Sequence, residues 1–440
     1  MNVYQRAYLR AFMVTVVLCW SPLKAIAYVI PLLALGYFIL ATRSGIALRN
    51  AVVGLTIFLI LIGARYFFQG DFVLHSALLS IVTFSAAWFL IAIPVKRLAH
   101  PTLLESMVAF VARVTLIEGL VGIVQAGYGF MHTGSLDQAN GDFVTGTIHI
   151  GVAPDLAFSN PMFATNMTCM LLILLPDLLR RRKHLLPVLV GALALVLSSV
   201  VHVIVMGFVA LVLALFLVRP KLQLRLGNAV VLACLAVIPL VAVSALSKNL
   251  GLISGTYQAM FTGEYPRTLA IIRTVFDLPS EYPLAPLIGL GPGQYSSRAS
   301  LIGTGYFFGG PLSPKQVPLL PKGMSPAFER YLWDLWLMGQ NKWFGSTQQP
   351  FCSWLTLFSE FGVPLALGVM GLIWAILWRV KARADINRHL AFTITASILF
   401  LCFLGVQENY WEVPQAIMIG CMLIQVAYAS LVYGNTYAKN

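Results

Sequence analysis

Two arginines and a glycine-rich turn are the first residues whose types and spacing suggest chemistry. Arg267 and Arg273 lie six positions apart, and Gly291 and Gly293 follow them in a Gly-Pro-Gly turn. Guanidinium groups bind phosphate oxygens with paired hydrogen bonds, and glycines let backbone N–H groups approach an anion. The pattern predicts a diphosphate site, with Arg298 as a supporting cation. The alternative is a set of helix-surface arginines beside an ordinary turn.

Two ionisable residues in apolar surroundings are candidates for proton transfer. Glu360 stands two residues before Gly362 near the start of an apolar run, and His202 follows two serines in another. Such residues are costly inside a membrane unless they are paired or hydrated, so they mark candidate functional sites. A carboxyl group whose pKa is raised by burial can accept a proton from a substrate hydroxyl. The alternatives are a structural partner of a loop arginine for Glu360 and an interior hydrogen-bonded histidine for His202.

Aromatic residues near these groups are candidates for stacking on a ligand. They are Tyr295, Trp333, Trp336 and Trp343. Anchoring at the membrane surface is the alternative for the tryptophans. The sequence predicts no metal site and no cofactor, because the six cysteines are scattered and the glycine-rich turn lacks the Lys-Ser/Thr and strand context of nucleotide loops.

The composition indicates that a lipid bilayer surrounds these residues. Hydrophobic residues make up 59% of the chain and charged residues 10%, and the mean hydropathy is +0.84. A water-soluble chain of this size could not cover so much apolar surface. The net charge of +13 comes from short basic clusters between apolar runs, which is typical of membrane topology and not of nucleic-acid binding.

Apolar runs long enough to cross a bilayer predict an all-α polytopic membrane protein with about twelve transmembrane helices. The predicted spans lie near residues 10–20, 25–41, 50–68, 73–95, 105–128, 159–179, 185–200, 201–218, 228–246, 353–378, 390–406 and 414–433. With both termini in the cytoplasm, all the short basic loops fall on the cytoplasmic side. The N-terminus lacks a small-residue cleavage site, so it is predicted to be a first span.

Two long connections are predicted on the opposite, periplasmic side. They divide the chain into a first bundle at 1–246, which includes the loop 130–158, a large catalytic loop at 247–352, and a second bundle at 353–440. Connections of this length are uncommon unless they carry function. We expect the larger one to form a partly helical cap. Its excess of basic residues predicts an anionic partner. The acids on the same side, Glu408 and Glu412 among them, are expected to be mostly solvated.

Several short motifs between roughly residues 140 and 365 resemble, in their order and spacing, those of the O-antigen ligase and Wzy-type polymerase superfamily. The matching residues are Gly146 and Thr147 with Asn160 and Pro161, then Arg267 with Gly289, Gly291, Gly293 and Tyr295, and finally Leu355, Glu360 and Gly362. The resemblance implies a GT-C-like, metal-independent glycosyltransferase of the bacterial inner membrane. Its implied donor is an oligosaccharide on undecaprenyl diphosphate, and a chain-length regulator is a candidate partner. The aromatic residues named above would then stack on sugar rings.

Two departures from the family pattern bear on the reaction. Phe351 stands where the ligases carry a histidine thought to act as general base, and His202 stands where many members carry an arginine. The first departure favours polymerisation of repeat units for an exopolysaccharide, capsule or O-antigen over ligation to another acceptor. A polysaccharide transporter or lipid flippase is the alternative from another class, although the internal repeats usual in transporters are not seen.

Overall fold

The computed structural model describes residues 1–22, 27–134, 143–149, 159–181, 183–218, 258–259, 262–263, 265–307, 321–342 and 349–434. Throughout these ranges the regular elements are helices, which confirms the all-α prediction. The predicted span near 228–246, most of the loop 130–158 and Trp343 lie outside the described residues.

The first part of the chain forms a helical bundle. Its helices are α1 (Val3–Cys19), α2 (Ile30–Thr42), α3 (Gly45–Phe68), α4 (Leu74–Thr83), α5 (Ser85–Ala92), α6 (Pro101–Thr133), α7 (Ser159–Arg181), α8 (Leu185–Leu197) and α9 (Val201–Val218). Local sequence fixes several of the helix starts. The Ser44 side chain caps α3 by accepting from the N–H of Ala47, and α6 begins with Pro101, whose missing N–H costs nothing at a first helical position.

A cap of short helices follows, and the bundle then resumes. The cap contains α10 (Pro266–Ile272), a π-helical turn (Arg273–Asp277), α11 (Leu278–Glu281), α12 (Ala285–Ile288), α13 (Arg298–Gly303), α14 (Pro326–Tyr331), α15 (Trp333–Lys342) and α16 (Ser353–Phe361). The bundle ends with α17 (Val363–Ala382), α18 (Arg388–Gln407) and α19 (Pro414–Tyr433). The cap has its own apolar core, which includes Phe328, Trp336 and Phe351.

Seven of the described helices are long and apolar enough to cross a membrane. They are α3, α6, α7, α9, α17, α18 and α19. The helices α4 and α5 form an eighth candidate, bent by 52° where a single span near 73–95 was predicted. Apolar helices α2 and α8 are shorter. A polytopic helical membrane fold is therefore supported, whereas the count of twelve spans stays a prediction.

Burial separates central helices from peripheral ones. In the most apolar part of α7, 83% of the residues are buried inside the protein, compared with 11% in α17. Most of the apolar surface of α17 is therefore exposed, as expected for a helix that faces lipid. Buried polar groups bind one another because acyl chains offer no hydrogen bonds. The hydroxyl of Tyr8 on α1 donates to Gln425 Oε1 on α19 (2.9 Å), and Gln425 Nε2 donates to the Leu90 carbonyl (3.0 Å).

The two ends of the bundle differ in charge. Basic residues occupy the connections between α2 and α3, between α5 and α6, and between α17 and α18. Successive helices alternate in direction, so these connections share one end. The start of α1 lies there too, since Gln5 Nε2 donates to the carbonyl of Arg97 at 3.4 Å. We call this the basic end and the opposite one, which carries the cap, the cap end.

Candidate functional site

Glu360 holds the glycine-rich turn at the cap end. Its carboxylate accepts hydrogen bonds from three backbone N–H groups. The donors are Gly293 (2.6 Å), Tyr295 (2.8 Å) and Ser297 (2.9 Å). Glu360 is only 1% exposed, so its carboxylate has lost its hydration, and these hydrogen bonds compensate for that loss.

The surroundings of Glu360 favour a structural role. Burial raises the pKa of Glu360 to about 7, and the backbone N–H donors oppose that rise. A general base needs an oxygen within reach of the substrate proton. Both oxygens of Glu360 are already bound to the turn, so the geometry favours the structural alternative over proton transfer.

Gly291 and Gly293 allow the glycine-rich turn to pack closely against Phe72 and α4. Both have positive φ angles, 99° and 75°. A Cβ atom at Gly291 would lie 2.7 Å from the ring of Phe72, and one at Gly293 would collide with the backbone carbonyl of Ser76 on α4. The N–H of Gly293 is used by Glu360. Contact of these glycines with a diphosphate stays a prediction that the described geometry does not favour.

We expect Gly293→Ala to destabilise the protein by about 1–3 kcal/mol more than Gly134→Ala does, because only the first change overpacks a filled site. The two glycines have matched φ angles, 75° and 69°, so backbone strain is similar in both variants. No described residue lies within 4 Å of a Cβ atom built at Gly134. Thermal unfolding of the two purified variants in detergent measures the difference. Equal losses would mean that the turn does not pack on α4 as described.

A buried polar junction joins the cap to the connection between α18 and α19. It consists of Ser296, Arg298, Glu408, Asn409 and Glu412, all of them buried. Arg298 binds both acids: its Nη2 donates to Glu408 Oε1 (2.5 Å), and its backbone N–H donates to Glu412 Oε2 (2.8 Å). Asn409 Nδ2 donates to the Ser296 carbonyl (2.6 Å).

The acids of the polar junction differ from the sequence-based expectation, since they are buried and not solvated. Burial raises the pKa of Glu412 to about 8, and the nearby carboxylate of Glu360 adds to that rise. Burial also raises the pKa of Glu408, while Arg298 opposes it. The salt bridge to Arg298 favours the charged form of Glu408, whereas the neighbouring carboxylate of Glu360 disfavours the charged form of Glu412.

Arg267 lies where the cap meets the bundle and is 5% exposed. Its Nη2 donates to the carbonyl of Gln349 (3.1 Å), and its Nη1 donates to Gln407 Oε1 (3.4 Å). The guanidinium also lies close to Glu408 and to His202. The structure therefore brings together Arg267 and His202, two of the predicted site residues, although they belong to different parts of the chain.

His202 is placed by a sharp turn between α8 and α9. Ser199 in this turn has a positive φ of 55°, and α9 begins at Val201. The His202 Nε2 atom lies 3.3 Å from the hydroxyl oxygen of Tyr410, so the two groups share a hydrogen bond. His202 is half-buried. We call Arg267, His202, Gln349, Gln407 and Tyr410 the arginine site.

Arg273 lies outside the arginine site, on the surface of the cap. Its guanidinium makes two hydrogen bonds to the carboxylate of Asp334, at 2.7 and 2.9 Å, and a third to the carbonyl of Tyr331 at 2.9 Å. These bonds join the π-helical turn to α15. The geometry therefore favours a structural role for Arg273.

The predicted sugar-stacking residues that the structure describes lie in or against the cap core. Tyr295 is fully buried, with its hydroxyl 3.1 Å from Thr274 Oγ1. The rings of Trp333 and Trp336 stack on each other with centroids 5.0 Å apart, and Trp336 is buried. These contacts hold the cap together, and a role in binding sugars stays a prediction.

Three uncharged members of the arginine site were not identified from the sequence. Gln349, Gln407 and Tyr410 carry no charge and are common in ordinary loops. The sequence did contain a sign of this site, because the mostly polar segment from Gln407 to Glu412 separates two apolar spans.

Gly146 and Thr147, which belong to the family resemblance, lie in a turn inside the bundle. Glu118 on α6 accepts hydrogen bonds from the N–H (2.8 Å) and the hydroxyl (2.6 Å) of Thr147. A Cβ atom at Gly146 would lie 2.5 Å from the Glu118 carboxylate. Glu118 therefore holds this turn against α6.

Comparisons with known proteins identify no relative. No family model, curated protein or solved structure matches the chain. Membership of the O-antigen ligase and Wzy-type superfamily therefore stays a prediction, and function must be argued from the site.

Proposed function

We propose that this protein is a glycosyltransferase of the bacterial inner membrane that polymerises oligosaccharide repeat units carried on undecaprenyl diphosphate. The observation that carries the proposal is the burial of Arg267 beside His202, where the cap meets a bundle of apolar helices. A twelve-span GT-C-like arrangement, with the cap in the periplasm and both termini in the cytoplasm, belongs to the same proposal.

Arg267 is the proposed diphosphate ligand. A phosphate would replace the uncharged oxygens of Gln349 and Gln407 on its guanidinium, and hydrogen bonds to charged oxygens are roughly twice as strong. When the bond from the anomeric carbon to the diphosphate breaks, the electron pair stays with the diphosphate. A cation fixed at that position stabilises the developing charge more than it stabilises the ground state.

His202 is the proposed proton acceptor. The bound diphosphate first neutralises the neighbouring Arg267 cation, which otherwise disfavours a positive charge on the imidazole. The acceptor hydroxyl forms the new bond to the anomeric carbon through its oxygen, and its proton passes to the imidazole. Tyr410 orients the ring through their shared hydrogen bond. The position of the ligase histidine is taken by Phe351, which stacks on Phe328 in the cap core with centroids 5.7 Å apart and cannot accept a proton.

The test is elongation by the purified protein. Lipid-linked oligosaccharides extracted from cells lacking the gene supply a matched substrate, and the protein is reconstituted with them in phospholipid vesicles. We expect a ladder of longer glycans on the lipid.

Three results would contradict polymerisation. An unchanged length distribution would argue against transfer of any kind. A single transfer to another acceptor would indicate a ligase, and movement of the substrate between leaflets without elongation would indicate a flippase.

A further inference from the structure

An apolar stripe runs along the outer face of the helix that carries Arg267. This helix continues from α10 through the π-helical turn into α11. Ile271, Ile272, Val275 and Phe276 are 45%, 42%, 55% and 72% exposed. Residues spaced by four positions share one side of a helix, so the four side chains form one surface.

The opposite side of the same helix faces protein. Arg267, Ala270, Thr274 and Leu278 are all buried there. The helix therefore has one face against the cap and the arginine site and another apolar face that the described residues leave uncovered. An exposed apolar surface of this kind marks an interaction site.

Further exposed apolar residues follow the stripe along the chain. Leu284, Leu287 and Ile288 around α12 are exposed by 54–61%. Gly362, at the start of α17, lies so close to the carbonyl of Leu287 that a Cβ atom would approach it to 2.5 Å. Because 11% of the span of α17 is buried, the exposed apolar residues of α12 lie next to a helix whose own apolar surface is largely exposed.

Charge is confined to the edge of the stripe. Asp277, Ser280 and Glu281 are exposed next to it, so an apolar face is bordered by polar groups along one helix. This arrangement is typical of helices that lie in the plane of a membrane with the apolar side among the acyl chains.

We propose that residues 271–288 lie in the surface of the bilayer at the cap end, with lipid acyl chains as the partner of the stripe. The wall between the leaflet and the arginine site is then one helix thick, about 10 Å. This inference holds whether or not the protein is a glycosyltransferase. If the proposed function is also correct, the wall places Arg267 near the depth of lipid phosphates.

Photolabelling from the lipid tests the proposal on the full-length protein. Vesicles of phosphatidylethanolamine and phosphatidylglycerol contain a phosphatidylcholine with a diazirine in its acyl chain, and adducts are mapped by mass spectrometry after illumination. We expect adducts at residues 271–276 and 284–288 at a yield within about threefold of that at Leu372 and Trp374, two exposed residues of α17.

An exposed polar residue of the cap serves as the control. Glu329 on α14 is exposed and should remain unlabelled. In the double variant Ile272→Asp with Phe276→Asp, labelling of residues 271–276 should fall at least fivefold while that of α17 is unchanged.

Several outcomes would overturn the proposal. Labelling of α17 without residues 271–288 would show that something other than lipid covers the stripe. Equal labelling of Glu329 would show that the adducts report collision with free lipid. Crosslinks between two copies through Phe276, in place of lipid adducts, would identify a second copy as the partner.

Discussion

Replacing Arg267 with alanine is expected to lower the rate of glycan transfer by about 100- to 1,000-fold, the usual cost of removing one group that stabilises developing charge. The loss follows from the proposed role, in which the guanidinium meets the leaving diphosphate. The change also removes hydrogen bonds to Gln349 and Gln407 inside the protein, so we expect a loss of stability that is smaller than the loss of rate. Initial rates of elongation and the melting temperature of the same preparation measure the two effects.

The matched control for this change is Arg330→Ala. Arg330 is another cap arginine, but its side chain is 62% exposed and pairs with Glu281 at the surface. Exposed ion pairs contribute little to stability. Transfer by this variant should stay within about twofold of the wild type. Equal activity in the Arg267 and Arg330 variants would remove Arg267 from the site.

Replacing Glu360 with alanine is expected to destabilise the cap by about 3–5 kcal/mol, as when one partner of a buried charged contact is removed. The change leaves the N–H groups of Gly293, Tyr295 and Ser297 without their acceptor. The glycine-rich turn should then detach from α16. Thermal unfolding in detergent and protease cleavage within residues 289–307 report the loss.

Glu360→Gln separates the structural role from a role as general base. The amide oxygen can still accept from Tyr295 and Ser297, but the amide N–H₂ faces the N–H of Gly293, so a smaller loss of about 1–3 kcal/mol is expected. At a temperature where this variant is folded, it should retain most of its transfer activity. A folded but inactive Glu360→Gln protein would return Glu360 to the catalytic group.

The bundle could be predicted from the sequence because each span is a local property. A run such as 414–433 is apolar over a length that fits a bilayer, and it forms α19 as predicted. The break at Phe84 between α4 and α5 was missed, since the run continues to be apolar across it. Hydropathy indicates that an apolar span is present but does not show where its helix changes direction.

The site was predicted only in part, because its contacts join distant segments. Arg267 and His202 were identified by residue type, and the structure places them together. Glu360 was identified as unusual for the right reason, its burial, but its partners are backbone N–H groups that no residue type reveals. The pairing of Arg298 with Glu408 depends on how the cap docks onto the connection after α18. No sequence spacing encodes that docking.

The most direct test of the central claim is binding of undecaprenyl diphosphate to the arginine site. Native mass spectrometry of the purified protein can titrate undecaprenyl diphosphate against undecaprenol, which shares the chain and lacks the phosphates. The wild type should bind the diphosphate at least tenfold more tightly than the alcohol, and Arg267→Ala should abolish that preference while Arg330→Ala retains it. Equal affinity of the wild type for both lipids, or an unchanged preference in Arg267→Ala, would contradict the assignment of Arg267 as the diphosphate ligand.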